Sequence, residues 1–332
     1  MRHTSSTPAE PHRRRHLNAS AHRVWPTADG SASTDLSLPN EPRIAIAGDW
    51  ESLKDPVDAT LRHLRRTAPD VQTILHLGDL RYAAPILHNG KQQSPGGGFI
   101  EWLDAQLAAN GIRRLLVTPG NHEWWQQLHE EFSRQPARPY RIASRIWIAP
   151  RGFRFELHGI RFLSFGGAAS LDRGPAHRTW DRHELAEPAD VDRVAAAGET
   201  DVLLLHEAPN NDLSQITAIT ARASRWPPKR LHASAQSRAL VTDLQQRVHP
   251  RYTFHGHMHV RDTHQHADGT TTASLAVVGT PGNIGILALH PLRFTWLDAV
   301  PNAKPDPAAK ASCEHAPNPS EADRQRESGH GE

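Results

Sequence analysis

Short apolar runs alternate with helical patterns through the first half of the chain. Apolar residues recur at helical spacing near residues 55–67 and 99–110, whereas the runs around them are compact and bounded by turn residues, as buried strands are. These runs cover residues 43–47, 71–77 and 113–118. The order strand, helix, strand, helix, strand predicts an α/β arrangement in which helices cover a mainly parallel sheet.

Strand patterns dominate the second half. Residues 153–157 and 160–165 alternate apolar and polar positions around His158-Gly159, which predicts a β-hairpin. Helices are expected over residues 185–197 and 235–248, and residues 207–235 are interpreted as a loop. Further strands are expected at residues 201–205, 252–254, 273–278, 284–289 and 294–297. A core of two sheet layers covered by helices would accommodate this content.

Both ends of the chain have the composition of disordered segments. Residues 1–42 and 301–332 are rich in proline and polar residues and offer little apolar surface. Burial of so little apolar surface cannot offset the entropy lost on ordering. We therefore expect disordered tails at residues 1–42 and 301–332, and one domain over residues 43–300.

Charge and cysteine content narrow the possible partners and location. The net charge is +2, which provides no strong field for nucleic acid or for a membrane surface. Cys313 is the only cysteine, so no intrachain disulfide can form. No apolar run approaches the ~20 residues that a membrane-spanning helix needs. The expected location is the cytoplasm, and no membrane partner is expected.

Polar side chains follow the predicted strands at several points, namely at Asp49, Asp79, Asn121, His206 and the pair His257 and His259. Each residue alone has an ordinary explanation, such as a polar turn. Their joint occurrence at strand ends is much harder to attribute to chance, because open α/β sheets place their sites at that edge. Carboxylate, amide and imidazole donors suit Mn²⁺, Fe or Zn²⁺ better than Ca²⁺, and this number of ligands suits two ions that share a carboxylate.

These residues occur in motifs that resemble those of the calcineurin-like metallophosphoesterases. The motifs are Gly48-Asp49, Gly78-Asp79, Gly120-Asn121-His122-Glu123, His206 and Gly256-His257-Met258-His259. The resemblance spans roughly residues 44–290. It implies a four-layer α/β/β/α sandwich with a dinuclear centre of Mn, Fe or Zn ions, divalent or in a divalent and trivalent pair, at the strand ends.

The same resemblance implies a role for each motif residue. Asp49 and His259 would hold the first ion, Asp79 would bridge both ions, and Asn121, His206 and His257 would hold the second. His122 would be the general acid that protonates the leaving group after a metal-bound hydroxide attacks phosphorus. Glu123 either orients His122 or is a plain surface carboxylate.

The first motif departs from the pattern of the family. Many members have Asp-x-His there, whereas this chain has Asp49-Trp50-Glu51. Glu51 could replace the missing imidazole as a carboxylate ligand. Alternatively, Tyr82 completes Gly78-Asp79-Leu80-Arg81-Tyr82, which resembles the second motif of purple acid phosphatases, where the tyrosine binds ferric iron. The complete motif favours Tyr82 as the ligand. The alternative interpretation is that Tyr82 is an aromatic residue in the wall of the cleft.

The expected activity is hydrolysis of a phosphomonoester or phosphodiester that depends on two metal ions. Trp124 and His88 are predicted to line the cleft for a small phosphoester, with packing as the alternative for Trp124. A nuclease or cyclic-nucleotide phosphodiesterase of the same fold is a second hypothesis, although the low net charge disfavours a nucleic-acid partner. A metal-binding or regulatory protein without activity is a third, because the first motif lacks its histidine.

Overall fold

The computed structural model describes residues 34–85, 87–88, 91–171, 181–210, 213–221 and 226–297. The tails predicted to be disordered therefore lie mostly outside the described residues. Residues 34–42 are described, and they pack against the domain: Leu36 is buried, and its carbonyl accepts a hydrogen bond of 2.7 Å from Nη1 of Arg114. The folded part thus extends N-terminally beyond the predicted boundary at residue 43.

Strands and helices are numbered here in chain order. The described strands are β1 Arg43–Ala47, β2 Thr73–His76, β3 Leu87–His88, β4 Lys91–Gln92, β5 Arg114–Val117, β6 Tyr140–Arg141, β7 Ile146–Ile148, β8 Phe153–Leu157, β9 Ile160–Phe165, β10 Val202–Leu205, β11 Tyr252–His255, β12 Asp262–Gln265, β13 Thr271–Ser274, β14 Ile284–Leu289 and β15 Leu292–Trp296. The described helices are α1 Lys54–Thr67, α2 Phe99–Ala109, α3 Trp125–Arg134, α4 Pro188–Ala195, α5 Ser214–Ala221 and α6 Pro228–Val248.

Apart from β3 and β4, which pair with each other, the described strands form two large sheets. The first sheet has the order β15-β14-β1-β2-β5-β7-β6, with β1, β2, β5 and β7 parallel and the flanking strands antiparallel. The second has the order β12-β13-β11-β10-β9-β8, and its four central strands are parallel. Parallel neighbours bring their carboxyl ends to one edge of each sheet, which is where the predicted site residues follow.

Alternation along each strand divides the core into layers. Ile44 and Ile46 of β1 point between the two sheets, whereas Ala45 and Ala47 point to the helices on the outer face, as the two-residue period of a strand requires. A third cluster joins the second sheet to α4 and α6. The order is therefore helices, sheet, sheet, helices, and the predicted four-layer α/β/β/α sandwich is confirmed.

The segment predicted as a loop over residues 207–235 contains more helix than expected. It carries α5 and the beginning of α6, which starts at Pro228. The loop prediction treats Pro227-Pro228 as a loop signal, but a proline at the start of a helix has no amide hydrogen that the helix would need. Within the described ranges, the helices are too short or too polar to cross a bilayer.

Candidate metal centre

The candidate centre lies where strands of both sheets end. Asp49 follows β1 and Asp79 follows β2 in the first sheet, while His206 follows β10 and His257 follows β11 in the second. Asp49, Asp79 and His206 are fully or almost fully buried. The face-to-face packing of the two sheets thus brings together side chains that are far apart in sequence.

Two glycines allow this close approach. A Cβ on Gly78 would lie 2.5 Å from Nδ1 of His206, and Gly78 also has a φ of +100°, which other residues rarely adopt. A Cβ on Gly120 would lie 2.3 Å from Oδ1 of Asp79. The glycines of these two motifs are therefore required because the site backbone passes against the ligand side chains.

The side chains form two ligand groups that share one carboxylate. One group is Asp79, His206 and His257, and the other is Asp49, Glu51, Asp79 and His259. Within each group, one ligand atom from every residue lies within 4.8 Å of the others. Asp79 belongs to both groups, which matches the bridging position that the family resemblance implies.

The residues present suit metal ions. Nε2 of His257 is buried and has no hydrogen-bond partner among the described residues, although a buried imidazole nitrogen normally has one. Asn121 donates from Nδ2 to the hydroxyl of Ser170 over 3.0 Å, and its Oδ1 lies 3.0 Å from Nε2 of His206. Ser170 therefore turns the amide oxygen of Asn121 toward the group of Asp79, His206 and His257, as a ligand would need.

The pKa values of the candidate ligands also bear on metal binding. Burial, together with the charges of Asp79 and Glu51, raises the pKa of Asp49 to about 6, although His259 and His206 oppose that rise. Burial lowers the pKa of His257 to about 4. Burial alone would raise the pKa of Asp79, but His206 and His122 hold it well below its ordinary value. The packed carboxylates and the neutral imidazole of His257 suit a bound cation. Although burial opposes the shift, the carboxylates of Asp79 and Asp49 raise the pKa of His206 to about 10, so a metal bound there would have to displace its proton.

The structure brings Glu51, and not Tyr82, into the centre. Oε1 of Glu51 lies 3.4 Å from Nε2 of His259. Tyr82 is 5% exposed, belongs to the hydrophobic core between the first sheet and its helices, and contacts the rings of Trp124 and Tyr140. Burial and a hydrogen bond with Tyr140 raise the pKa of its hydroxyl far above the ordinary value. These contacts favour Glu51 over the predicted Tyr82 as the ligand, because an apolar core disfavours the phenolate that a metal would need.

Substitutions at these two positions separate the alternatives. We expect Tyr82→Phe to retain the metal content of the wild type, since its hydroxyl serves Tyr140. We expect Glu51→Gln to weaken binding of one ion by roughly 100-fold, because loss of a direct ligand should cost at least as much as loss of an outer contact, ~10–100-fold. Metal equivalents per chain after dialysis against graded chelator would measure both. Metal loss in Tyr82→Phe, with Glu51→Gln unaffected, would restore the tyrosine assignment.

Glu123 stabilises the backbone of the site. Its two carboxylate oxygens accept hydrogen bonds from the backbone amides of Asp79, Arg81 and Gly120, at 3.2 Å and 3.0 Å for the first two. Burial raises the pKa of Glu123 to about 7, and the charge of Asp79 adds to that rise. The predicted alternatives, an orienter of His122 or a plain surface carboxylate, are replaced by a third: a buried tie between the second motif and the Asn-His-Glu turn.

His122 lies at the rim of the centre. Its backbone amide donates to Oδ1 of Asp79 over 3.0 Å, and its Nε2 lies 4.0 Å from Oδ2 of the same carboxylate. The side chain is 16% exposed, so a proton on it can reach a substrate that enters from solvent. This position is compatible with the predicted role as general acid.

Of the two predicted cleft residues, only Trp124 has a side chain among the described residues. Trp124 is half-buried and packs against the core beside Tyr82, and its amide donates to the carbonyl of Tyr82 over 2.7 Å. These contacts support the packing alternative for Trp124. His88 lies on the short strand β3, and its side chain falls outside the described residues.

Some residues of the centre were not predicted from sequence. Arg81 donates from Nε to Oε2 of Glu51. Glu207 is fully buried, accepts the amides of Ala169 and Ala208 at 3.0 and 3.1 Å, and lies 3.9 Å from Nε2 of His257. The only sequence signal was proximity to a motif, since Arg81 lies within the second motif and Glu207 follows His206.

The fold and the ligand groups can be compared with known proteins. No curated protein matches this chain. Solved structures with a similar fold include TT1561 of Thermus thermophilus, with 11% identity, 78% of this chain and 99% of that chain covered, and a TM-score of 0.48. They also include a dimetal phosphatase from Danio rerio, with 11% identity, 75% and 93% coverage and a TM-score of 0.43. A novel archaeal phosphodiesterase matches with 12% identity, 77% and 99% coverage and a TM-score of 0.38.

A sequence model of a protein family supplies the assignment. The model described as calcineurin-like phosphoesterase matches residues 42–261, which is most of the described domain and includes every motif of the two ligand groups. The family binds divalent metals, and its activity is hydrolysis of phosphoesters, although some members are inactive. This chain belongs to the calcineurin-like phosphoesterase family.

Proposed function

We propose that this protein hydrolyses phosphomonoesters or phosphodiesters with the help of two transition-metal ions, Mn, Fe or Zn. The observation that carries the proposal is the pair of ligand groups that share Asp79. Two adjacent cation sites with a common carboxylate suit in-line displacement at phosphorus. When bound, such ions polarise phosphoryl oxygens and lower the pKa of a coordinated water.

The residues of the chain would share the remaining work. Asp49, Glu51 and His259 would hold one ion, and Asn121, His206 and His257 would hold the other, with Asp79 between them. His122, at the rim, would donate a proton from Nε2 to the oxygen of the departing alcohol, which otherwise leaves as a poor alkoxide. A positioned general acid typically contributes ~10²–10⁴-fold to the rate.

The ring of His206 is oriented as a metal ligand would need. Its Nδ1 lies 2.6 Å from the carbonyl of Leu77, which orients the ring and directs Nε2 toward Asp79 and Asn121. A carbonyl partner on the other ring nitrogen is the usual way in which a ligating histidine is oriented.

The missing first-motif histidine does not favour an inactive protein, because Glu51 lies in the ligand group that this histidine would have joined.

Turnover of two simple esters would test the proposal. The chain should hydrolyse p-nitrophenyl phosphate, bis-p-nitrophenyl phosphate or both when Mn²⁺ is added, and chelator should abolish this activity. His122→Ala should be much slower at equal metal content. If the metal-loaded wild type turns over neither these esters nor a panel including cyclic nucleotides and single-stranded DNA, the inactive metal-binding alternative would replace the proposal.

A further inference from the structure

Arg81 is held beside the centre by Glu51. Its Nε donates to Oε2 of Glu51, and the side chain is 34% exposed, whereas that of Glu51 is 10% exposed. Within the described residues, its terminal nitrogens Nη1 and Nη2 make no hydrogen bond. By contrast, both terminal nitrogens of the partly buried Arg151 are bonded, to Asp190 and to two carbonyls.

The backbone directs this side chain toward the centre. Arg81 and Glu51 have φ values of 68° and 51°, in the left-handed region that such residues seldom adopt. Hydrogen bonds hold both conformations: the Arg81 amide donates to Glu123 over 3.0 Å, and the Glu51 amide donates to the carbonyl of Asp79 over 2.9 Å. Strained backbone of this kind persists where the surrounding contacts over-determine it, and it clusters at functional sites.

Glu51 connects Arg81 to the ligand group. Its Oε1 lies 3.4 Å from Nε2 of His259, a member of the same ligand group, while its Oε2 accepts a hydrogen bond from Nε of Arg81. The guanidinium thus lies one carboxylate away from the ligand atoms, with its two free NH₂ groups at the half-exposed rim. A fixed cation with paired donors beside a phosphoryl site is the arrangement that binds phosphate oxygens best.

We propose that Arg81, held by Glu51, binds the phosphoryl oxygens of the substrate and makes the enzyme prefer phosphomonoesters to phosphodiesters. The proposal rests on the proposed function and specifies its substrate class. A monoester carries one more unesterified oxygen and nearly one more negative charge than a diester, with ≈ −1.5 to −2 in total at neutral pH. An arginine fork gains most from that additional oxygen and charge.

Binding of inorganic phosphate tests whether Arg81 binds phosphoryl oxygens without requiring any turnover. Phosphate binding to the Mn²⁺-loaded chain would be measured by calorimetry for the wild type, Arg81→Gln and Arg81→Lys, together with metal content and thermal melting of each variant. We expect Arg81→Gln to bind phosphate roughly 10- to 100-fold more weakly at unchanged metal content, the range for losing a hydrogen bond to a charged group. Arg81→Lys should be intermediate, because it keeps the charge and loses the fork.

A matched control is available on the same sheet. Arg43 also donates from Nε to a carboxylate, that of Asp70 over 2.7 Å, and its side chain is 37% exposed. It begins β1, at the end of the strand opposite to Asp49. Arg43→Gln should therefore bind metal and phosphate as the wild type does.

The ester comparison gives the second readout. Arg81→Gln should lower kcat/KM for the monoester about tenfold more than for the diester. The inference would be overturned if a folded, metal-loaded Arg81→Gln protein bound phosphate as tightly as the wild type. It would also be overturned if Arg81→Gln lost metal and phosphate affinity in parallel, or if the wild type bound no phosphate. An inactive wild type whose phosphate binding depends on Arg81 would refute the proposed function alone, whereas an active wild type with an unaffected Arg81→Gln would refute only this inference.

Discussion

Asp79→Asn should release both metal ions and lower hydrolysis by roughly 10³-fold or more. Asp79 is the residue common to the two ligand groups, so its loss affects both cation sites, whereas loss of any other ligand affects one. Metal-ion catalysis contributes several kcal/mol of transition-state stabilisation, and each 1.36 kcal/mol corresponds to about tenfold in rate. Metal equivalents per chain and Mn²⁺-dependent turnover of p-nitrophenyl phosphate would measure the two effects.

The substitution is close to isosteric, which helps to separate chemistry from folding. The side-chain oxygen of the introduced asparagine could still accept the backbone amide of His122, which Oδ1 of Asp79 now accepts over 3.0 Å. Circular dichroism in chelator should therefore show a folded protein. Asp70→Asn is the matched control, because Asp70 pairs with Arg43 away from the centre. An Asp79→Asn protein that keeps two metal equivalents would contradict the shared-ligand assignment.

His122→Asn should retain its metal ions and lose ~10²–10⁴-fold in kcat, the contribution typical of a general acid. The loss should depend on the leaving group. Alkyl phosphates, whose alkoxides need a proton, should show the full effect, whereas dinitrophenyl phosphate, whose phenolate leaves without one, should show little. This dependence would be measured as kcat for a series of esters whose leaving groups differ in pKa. The slope of log kcat against leaving-group pKa should be steeper for the variant than for the wild type.

A purely structural role for His122 predicts another pattern. Nε2 of His122 lies 4.0 Å from Oδ2 of Asp79. If the His122 side chain only supported Asp79, the rate of hydrolysis would fall by the same factor for every ester, and the metal content would fall as well. His249→Asn is a suitable control, since His249 is exposed at the end of α6 in a left-handed conformation that asparagine tolerates. That variant should match the wild type with every ester.

Helices and strands could be predicted from sequence wherever a single local signal decided them. The apolar runs leading to Asp49, Asp79 and Asn121 are buried in one sheet, so their composition alone marks them as strands. Pro227-Pro228 misled the prediction, because the same proline pair can end a loop or begin a helix, and packing of α6 on the second sheet decided between them.

Within the site, the motifs identified which residues would meet but not which way their neighbours point. Leu80, Arg81 and Tyr82 are consecutive, yet Leu80 and Tyr82 are in the core while Arg81 reaches Glu51. Leu80 and Tyr82 lie in the same cluster as Ile74 of β2, but positive φ values at Asp79 and Arg81 take this segment out of the regular strand, and the motif alone does not show which side chains face the ligands. The choice of Glu51 over Tyr82 depended on that local geometry.

The sequence by itself predicted the family, the layered α/β class and the candidate ligands Asp49, Asp79, Asn121, His206, His257 and His259, because polar groups at strand ends, most of them preceded by glycine, are a local and specific pattern. Only the tertiary structure decided that Glu51 joins the ligand group of Asp49, Asp79 and His259, that Glu123 ties two turns together, and that Arg81 is fixed by Glu51. These relations join residues from separate strands and both sheets. The ligand groups arise when the sheets pack face to face, whereas the contacts of Glu123 and Arg81 join loops that follow strands of the first sheet, and no local preference along the chain encodes either.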